Sequence, residues 1–537
     1  MGITLASSLA LGSFAYTSAN EKVEAKKESQ QAKNVIVLVK DGVSSTTTTL
    51  ARWYKGEPLA MDEIMSGGVR TYSAESAVTD SAPAGTAMAT GNKSNDKLVG
   101  VLPEKIASPG VDSSLADDPL KPVANVLEGA KLEGKATGII ATSEIQHATP
   151  AAFSSHVTHR TDYDSIAEQQ VYQNIDVVLG GGKNSLEAKN RKDGENLVDV
   201  IEEKGYDIIE TRDELLKSKS NKLWGTFAPA ALAYDMDRSQ TNPEEPTLAE
   251  MTKKGISTLS KDKDGFFLFV EGSKPDWAAH ANDPIGMISD TLAFDEAVKE
   301  AVAFAKRDKN TLVIAVSDHG NSGISIGNQN TNSSYPATPV SAYIDPLKEA
   351  KMTLEGALKQ LKKDNSNVLE VAALYGITNP TADETKALNS STNLSKTLVQ
   401  LLANRANLGF TTGGHTGEDL FMYSYGPGKP TGLIENTDVA KSSATALGFS
   451  LGKVDKEVFV EAESAFKKIG AKVSIDSSDK TNPVLIVKKG KTTAEIPVNK
   501  NIVTIKGKDK ELKTVTVQSN GKFYVSQEAV NIVKKGK

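Results

Sequence analysis

Five uninterrupted apolar runs constrain this chain more than any other feature: NVIVLV (34–39), TGIIAT (137–142), DVVLG (176–180), GFFLFV (265–270) and TLVIAV (311–316). A strand with one wet face alternates apolar and polar residues. Runs without that alternation belong to strands covered on both faces, as in a parallel sheet. Helical patterns fill the intervals, among them KPVANVLEGAKLEG, SDTLAFDEAVKEAVAFAKR and LSKTLVQLLANRA. The alternation over residues 34–450 predicts an α/β fold, doubly wound, with a mostly parallel central sheet and helices on both faces. Ligands in such sheets bind beyond the carboxyl ends of the strands, so the residues that follow each run become the first candidates.

Those residues are acids. NVIVLV leads into Lys40-Asp41, GFFLFV into Glu271, and TLVIAV into Ser317-Asp318-His319, while TGIIAT runs on to His147 and Thr149. Any one acid reads equally well as a helix N-cap. Three strands delivering carboxylates to one edge, with His319 beside them, ask for cations to offset the repulsion. Asp276 and His280 stand at i and i+4, on one face of a helix, five residues after Glu271. His415 sits in the glycine-flanked loop TGGHTG. The chain has no cysteine and only six histidines, so a metal must be held by oxygen and nitrogen: zinc where histidine contributes, magnesium where only oxygen does. Ser81 opens the small-residue helix of VTDSAPAGTAMATG. The N–H groups of a helix start favour an anion, and a serine there can attack phosphorus once a metal lowers its pKa. No G-x-S-x-G elbow is present.

Composition and the chain ends narrow the reading further. A length of 537 residues suggests about two to four domains, or one large domain with an appendage. A net charge of −6 shows no basic excess and argues against a nucleic-acid binder. Residues 3–16 are uncharged and largely apolar and precede Thr17-Ser18-Ala19, the pattern of a secretory signal peptide without its basic segment, followed by a polar linker to residue 33. No later stretch has the roughly 18 apolar residues of a membrane span. Export without cysteine suggests a Gram-positive type of envelope. From Lys453 onward there are 18 lysines, no arginine and 10 acids, a balance of +8 that leaves −14 for the rest. Short β-branched runs such as VLIV, IVTI and KFYV, closed by SQEAVNIVKK, predict a small β-rich module over 453–537. The expected division is therefore 1–33, 34–450 and 453–537.

Taken together, VTDSAPAGTAMATG, HATPAAF with HVTHR, VEGSKPDWAAHANDP, SDHG, GGHTGEDL, and YGPG with ENTDVAK resemble the alkaline phosphatase family over about residues 34–450. That resemblance implies hydrolysis of small phosphate monoesters through a phosphoserine on Ser81, with Arg160 holding phosphate oxygens. It implies two zinc ions and one magnesium ion per catalytic domain. Asp276, His280 and His415 would hold the first zinc; Asp41, Asp318 and His319 the second; Asp41, Thr149 and Glu271 the magnesium. His147 and Trp277 would stand near phosphate and magnesium, while His156 and His159 match no ligand position. Lys40 replaces a common glycine and adds charge nearby, and DHGNSG departs from the usual sequence. The tail is similar, more weakly, to copper-amine-oxidase N-terminal-like modules of envelope proteins, and it has no histidine for copper. Expected partners are the monoester substrate, a second copy in a homodimer, and anionic cell-wall polymers through the tail, with a secreted or wall-associated location. The competing readings are a phosphodiesterase or sulfatase of the same superfamily, and an envelope-binding protein with an inert core.

Overall fold

The computed structural model describes residues 31–108 and 114–536. The signal-like segment 3–16 and most of the linker lie outside the described residues. Ten strands form the main sheet: β1 (Asn34–Lys40), β2 (Met65–Arg70), β3 (Ala136–Glu144), β4 (Val177–Gly181), β5 (Asp207–Ile209), β6 (Leu223–Thr226), β7 (Phe266–Gly272), β8 (Thr311–Ser317), β9 (Leu420–Tyr425) and β10 (Gly432–Glu435). Their spatial order is β10-β2-β9-β8-β1-β7-β3-β4-β6-β5. Every neighbouring pair is parallel except the two that involve β9. The five apolar runs are β8, β1, β7, β3 and β4, the contiguous centre of the sheet.

Burial explains why those five were legible. β1, β7 and β8 are buried at every residue. Successive side chains alternate between the two faces: Val35, Val37, Val39, Phe267 and Phe269 join one core, and Ile36, Leu38, Leu268 and Val270 the other. The first core is roofed by the helix Ser81–Thr90 through Ala82, Met88 and Ala89, and the second by the helices Leu248–Leu259 and Pro284–Asp308. Each large apolar side chain buried there contributes about 1.5–3 kcal/mol. Residues 340–400, polar overall, fold into short helices whose core around Tyr375, Leu398 and Leu402 is shared with Leu50, Ile285 and Ile288.

The C-terminal region is built differently. A five-stranded antiparallel meander runs Lys472–Asp476, Val484–Lys489, Thr492–Pro497, Ile502–Ile505, Lys508–Glu511. A smaller sheet joins Val460–Glu461, Val517–Ser519 and Lys522–Val525, and the helices Ala462–Lys468 and Gln527–Lys535 pack against them around Phe466, Leu485 and Phe523. This region is docked on the rest of the chain. Val515, Val517 and Tyr524 enter the main core beside Val458 and Phe459. Asn499 donates to Glu168 at 2.9 Å and accepts from Gln169 at 3.0 Å, and Lys500 lies 2.8 Å from Glu195.

Candidate active site

The parallel register sets the carboxyl ends of β1, β7 and β8 side by side: Val39 lies opposite Glu271 on one neighbour and Val316 on the other. Asp41, Glu271, Asp318 and His319 therefore emerge at one edge, all fully buried. Gly42 follows with φ of +67°, and a Cβ there would meet Asp276 Oδ1 at 2.5 Å. Only glycine fits this close approach, and its N–H donates to Asp318 Oδ1 at 3.0 Å. The helix Lys274–His280 presents Asp276 and His280 from one turn, 3.4 Å apart. A two-residue pairing of Gly320–Asn321 with His415–Thr416 brings His415 in from the late loop, and its ring stacks on His319 with centroids 3.7 Å apart. Ser81, the first residue of its helix, places Oγ 3.2 Å from His319 Nε2.

Three groups of these atoms are close enough to share a cation: Asp276, His319 and His415; Asp41, Asp318 and His319; Asp41, Glu271 and His147. The expected ligand residues therefore converge, while His147 approaches Asp41 and Glu271 more closely than a purely outer role requires. Neither oxygen of Asp41 receives a hydrogen bond, nor does Oδ2 of Asp318, Oε1 of Glu271 or the buried hydroxyl of Thr149. Buried carboxylate oxygens are seldom left so, and this orphaned set is what a divalent cation would satisfy. The imidazoles agree. His280 Nδ1 lies 2.9 Å from the Gly413 carbonyl and His415 Nδ1 2.9 Å from that of Thr79, which turns both Nε2 atoms toward Asp276 and to 3.1 Å from each other. A carbonyl that fixes the far ring nitrogen is the usual support of a metal-binding histidine.

The electrostatics report the same uncompensated charge. Burial, then Asp318, Asp276 and Glu271, push Asp41 well above the ordinary carboxylate range. Burial lifts Glu271 to about 7 against the hydrogen bond from Ser273. Asp276 is held low despite its burial, chiefly by His280, which its own hydrogen bond to Asp276 raises to about 9. Burial and then Arg160 bring His147 down to about 4, so it is neutral at pH 7. Bound cations invert such shifts and keep acids ionised.

Beside this cluster, Arg160 bridges Asp80 and His147, with Nη2 3.0 Å from His147 Nε2. Trp277 meets the His147 ring edge-on at 5.9 Å, and the Lys274 ammonium sits 4.4 Å from the Trp277 ring. His156 is fully buried against Glu128 at 3.0 Å, and His159 is exposed and bonds Thr161, so neither joins the site. Lys40 corrects an expectation: its ammonium turns away to Thr48 Oγ at 2.8 Å and the Tyr423 ring, and burial drops it to about 7. The alternation of the strand sends Lys40 and Asp41 to opposite sides.

Several supporting residues carried no signal of their own. Asn321 donates to Asp276 Oδ1 at 2.7 Å, Ser273 to Glu271 Oε2 at 2.6 Å, and Ser143 to the same oxygen at 3.4 Å. Asp80, the residue before Ser81, orients Arg160. Each lies within two residues of a candidate or just past an apolar run, which is the only trace they leave in sequence.

Comparison with known proteins follows the same lines. Residues 32–449 match the family model described as alkaline phosphatase, and residues 445–533 match the copper amine oxidase N-terminal domain. Alkaline phosphatase 3 of Bacillus subtilis is 37% identical over 480 residues, covering 84% of this chain and 96% of its own length. The crystal structure of Thermus thermophilus alkaline phosphatase superposes with a TM-score of 0.68 at 28% identity, over 82% of this chain and 96% of that one. The cold-active alkaline phosphatase from a psychrophilic Shewanella gives 0.66 at 28% identity, over 77% and 99%.

Proposed function

The chain belongs to the alkaline phosphatase family of metal-dependent phosphomonoester hydrolases, and from that premise we propose how its own residues divide the reaction. Ser81 Oγ attacks the phosphorus of a monoester, the bond to the alcohol breaks, and the alcohol leaves with a proton. Water then cleaves the phosphoserine, returning Ser81 and releasing inorganic phosphate. The observation that carries this reading is the Ser81 hydroxyl at a helix N-terminus, 3.2 Å from His319, beside a cluster of buried carboxylates with oxygens that receive no hydrogen bond.

Asp276, His280 and His415 would hold one zinc, Asp41, Asp318 and His319 a second, and Asp41, Glu271 and Thr149 a magnesium. When bound, such ions offset charge on the phosphoryl group and make Ser81 and water better nucleophiles. Asp80 holds the Arg160 fork in place to bind two phosphate oxygens, leaving positioning and electrostatics as the main sources of rate. His147, neutral at pH 7, accepts from Arg160 and so steers the guanidinium. Trp277 braces His147 from behind and is itself capped by the Lys274 ammonium. The test is p-nitrophenyl phosphate turnover before and after chelation, with zinc and magnesium added back separately. Activity should return fully only with both. Full activity in the chelated enzyme would overturn the reading. Phosphoserine at Ser81 in acid-quenched enzyme is the second readout.

The apolar segment 3–16 supports export through a signal peptide, and no helix among the described residues is long and apolar enough to cross a membrane. We further propose that the +8 of residues 453–537 retains the enzyme electrostatically on anionic wall polymers. Retention on purified walls should weaken as salt rises past roughly 0.15 M, where screening shortens to about 8 Å.

A further inference from the structure

Where the helix Leu451–Val458 meets the helix Gln527–Lys535, a cleft of about 630 Å³ opens, far from the carboxylate cluster in sequence and built from different elements. Lys453, Lys456, Lys513 and Lys535 line it, against Glu457 and Glu528, a balance of +2. None of the four ammonium groups has an ion-pair or hydrogen-bond partner among the described residues. Glu528 is already engaged, since its Oε2 accepts the backbone N–H of Lys513 at 3.0 Å. Lys500, outside the cleft, pairs with Glu195 and Glu168, whereas the four cleft ammonium groups converge on one concave surface.

A second observation is independent of charge. Thr514 also lines the cleft, is 1% exposed, and its hydroxyl has no hydrogen-bond partner. A buried hydroxyl left without a partner costs on the order of 1–3 kcal/mol, a cost that a ligand atom reaching Thr514 would offset. Apolar surface from Leu132, Val458 and Ile532 completes the wall. Point charges, a buried hydroxyl and an apolar wall suit a chain that alternates anionic and carbon-rich units. Lysine, compact and strongly hydrated, binds phosphate as a point charge.

We infer that this cleft seats a phosphodiester segment of a polyol-phosphate polymer, so that the tail binds its polyanion at one built site and not only through diffuse charge. The choice of polymer rests on the wall-retention reading above. The phosphate group it would recognise is shared with free inorganic phosphate, and the experiment must separate the two sources.

The test titrates poly(glycerol phosphate) into the full-length enzyme, with p-nitrophenyl phosphate turnover as the check that each variant is folded. Replacing Lys453, Lys456, Lys513 and Lys535 together by Gln should weaken binding by roughly tenfold or more. Replacing Lys472, Lys480, Lys491 and Lys508 by Gln removes the same charge away from the cleft and should weaken it by no more than about threefold. Thr514→Val, which changes no charge, should weaken it several-fold. Equal weakening by the two lysine sets, with Thr514→Val unchanged, would overturn the cleft while leaving diffuse retention standing. No binding of the polymer by the unaltered enzyme would overturn both. Inorganic phosphate serves as competitor: displacement only far above the concentrations that inhibit turnover supports the polymer as ligand. Displacement at inhibitory concentrations that disappears in the four-lysine variant assigns the cleft to free phosphate and overturns the inference.

Discussion

The main sheet and the C-terminal meander are both β structure, yet they handle buried polarity in opposite ways. The main sheet gathers four buried carboxylate oxygens without hydrogen bonds at one edge, from Asp41, Glu271 and Asp318, within a few ångströms of one another, and leaves single atoms of Trp224, Tyr423 and Glu435 so elsewhere. The meander spreads its charge outward, alternating buried Leu485 and Val487 with exposed Lys488 and Lys508. Its few orphaned groups, Thr514, Thr516 and Asn501, lie near the seam with the larger body. Unsatisfied polarity is expensive, so a fold tolerates it where a ligand supplies the missing partner. The first region gathers much of that cost at one candidate cation site; the second confines it to a margin.

Substitutions at the edge should break the comparison most sharply. Ser81→Ala should lower turnover by about 10³-fold or more with zinc content near normal, because Ser81 accounts for the nucleophile and little of the ligation. Asp276→Ala and His415→Ala should lose turnover and zinc together, and elemental analysis separates the two classes. Full zinc in either ligand variant would contradict the assignment.

Removing residues 453–537 tests whether the meander is merely attached. Turnover per folded molecule should hold within about twofold, since every candidate ligand lies upstream, but the truncation strips Val454, Val458, Phe459, Val515, Val517 and Tyr524 from the main core. At about 1.5–3 kcal/mol for each fully buried apolar side chain, the melting temperature should fall steeply. An unchanged thermal transition would show the docking to be energetically empty.

A smaller effect tests the seam by pH. Burial disfavours charge on His156, but Glu128 outweighs it, so His156 is raised above its ordinary 6.5, and Glu128 is lowered below 4.5 by the same pairing. Asp455 adds to the pull on His156, and the ring packs edge-on against Phe459 at 4.6 Å. A raised histidine stabilises fully below 6.5 and loses that contribution as pH climbs through its folded value. A lowered carboxyl stabilises above 4.5 and loses it as pH falls through its own. Thermal stability should therefore decline on the alkaline side of about 6.5, and Glu128→Gln should flatten that limb while lowering stability overall by about 3 kcal/mol. A wild-type limb flat from pH 6 to 9 would contradict the ion pair. Least of all, Asn321→Ala should cost about 10–100-fold in activity or metal affinity by freeing Asp276, measured by zinc titration.

Continuous apolar runs marked β1, β3, β4, β7 and β8 because burial on both faces leaves no polar position to interrupt them. β2, β5 and β10 were silent: MSGGVR and GLIE are short, partly exposed pieces near the sheet's edges whose pairing is decided by neighbours. β9 is the one antiparallel member, and its direction is set by the sheet and not by LFMYSY itself. The candidate ligands Asp41, Glu271, Asp318 and His319 were legible because they stand at the ends of the apolar runs, and the family resemblance implied their roles. Asn321, Asp80, Ser143 and Ser273 act through single hydrogen bonds fixed only by tertiary register, and composition says nothing of register. The direction of Lys40 is a strand-parity effect that follows once β1 is known to end at Lys40.

The position of β1 also governs how this molecule comes into being. It is the first strand made, yet it lies between β7 and β8, which begin at Phe266 and Thr311. Asp41 thus waits more than two hundred residues for Glu271 and longer for His415. Contacts so remote in sequence close slowly, and a nascent chain holding Ser81 and Asp41 has no site at all. Under the proposed assignment activity arrives late and in one step, and a chain cut short before the TGGHTG loop should show no turnover.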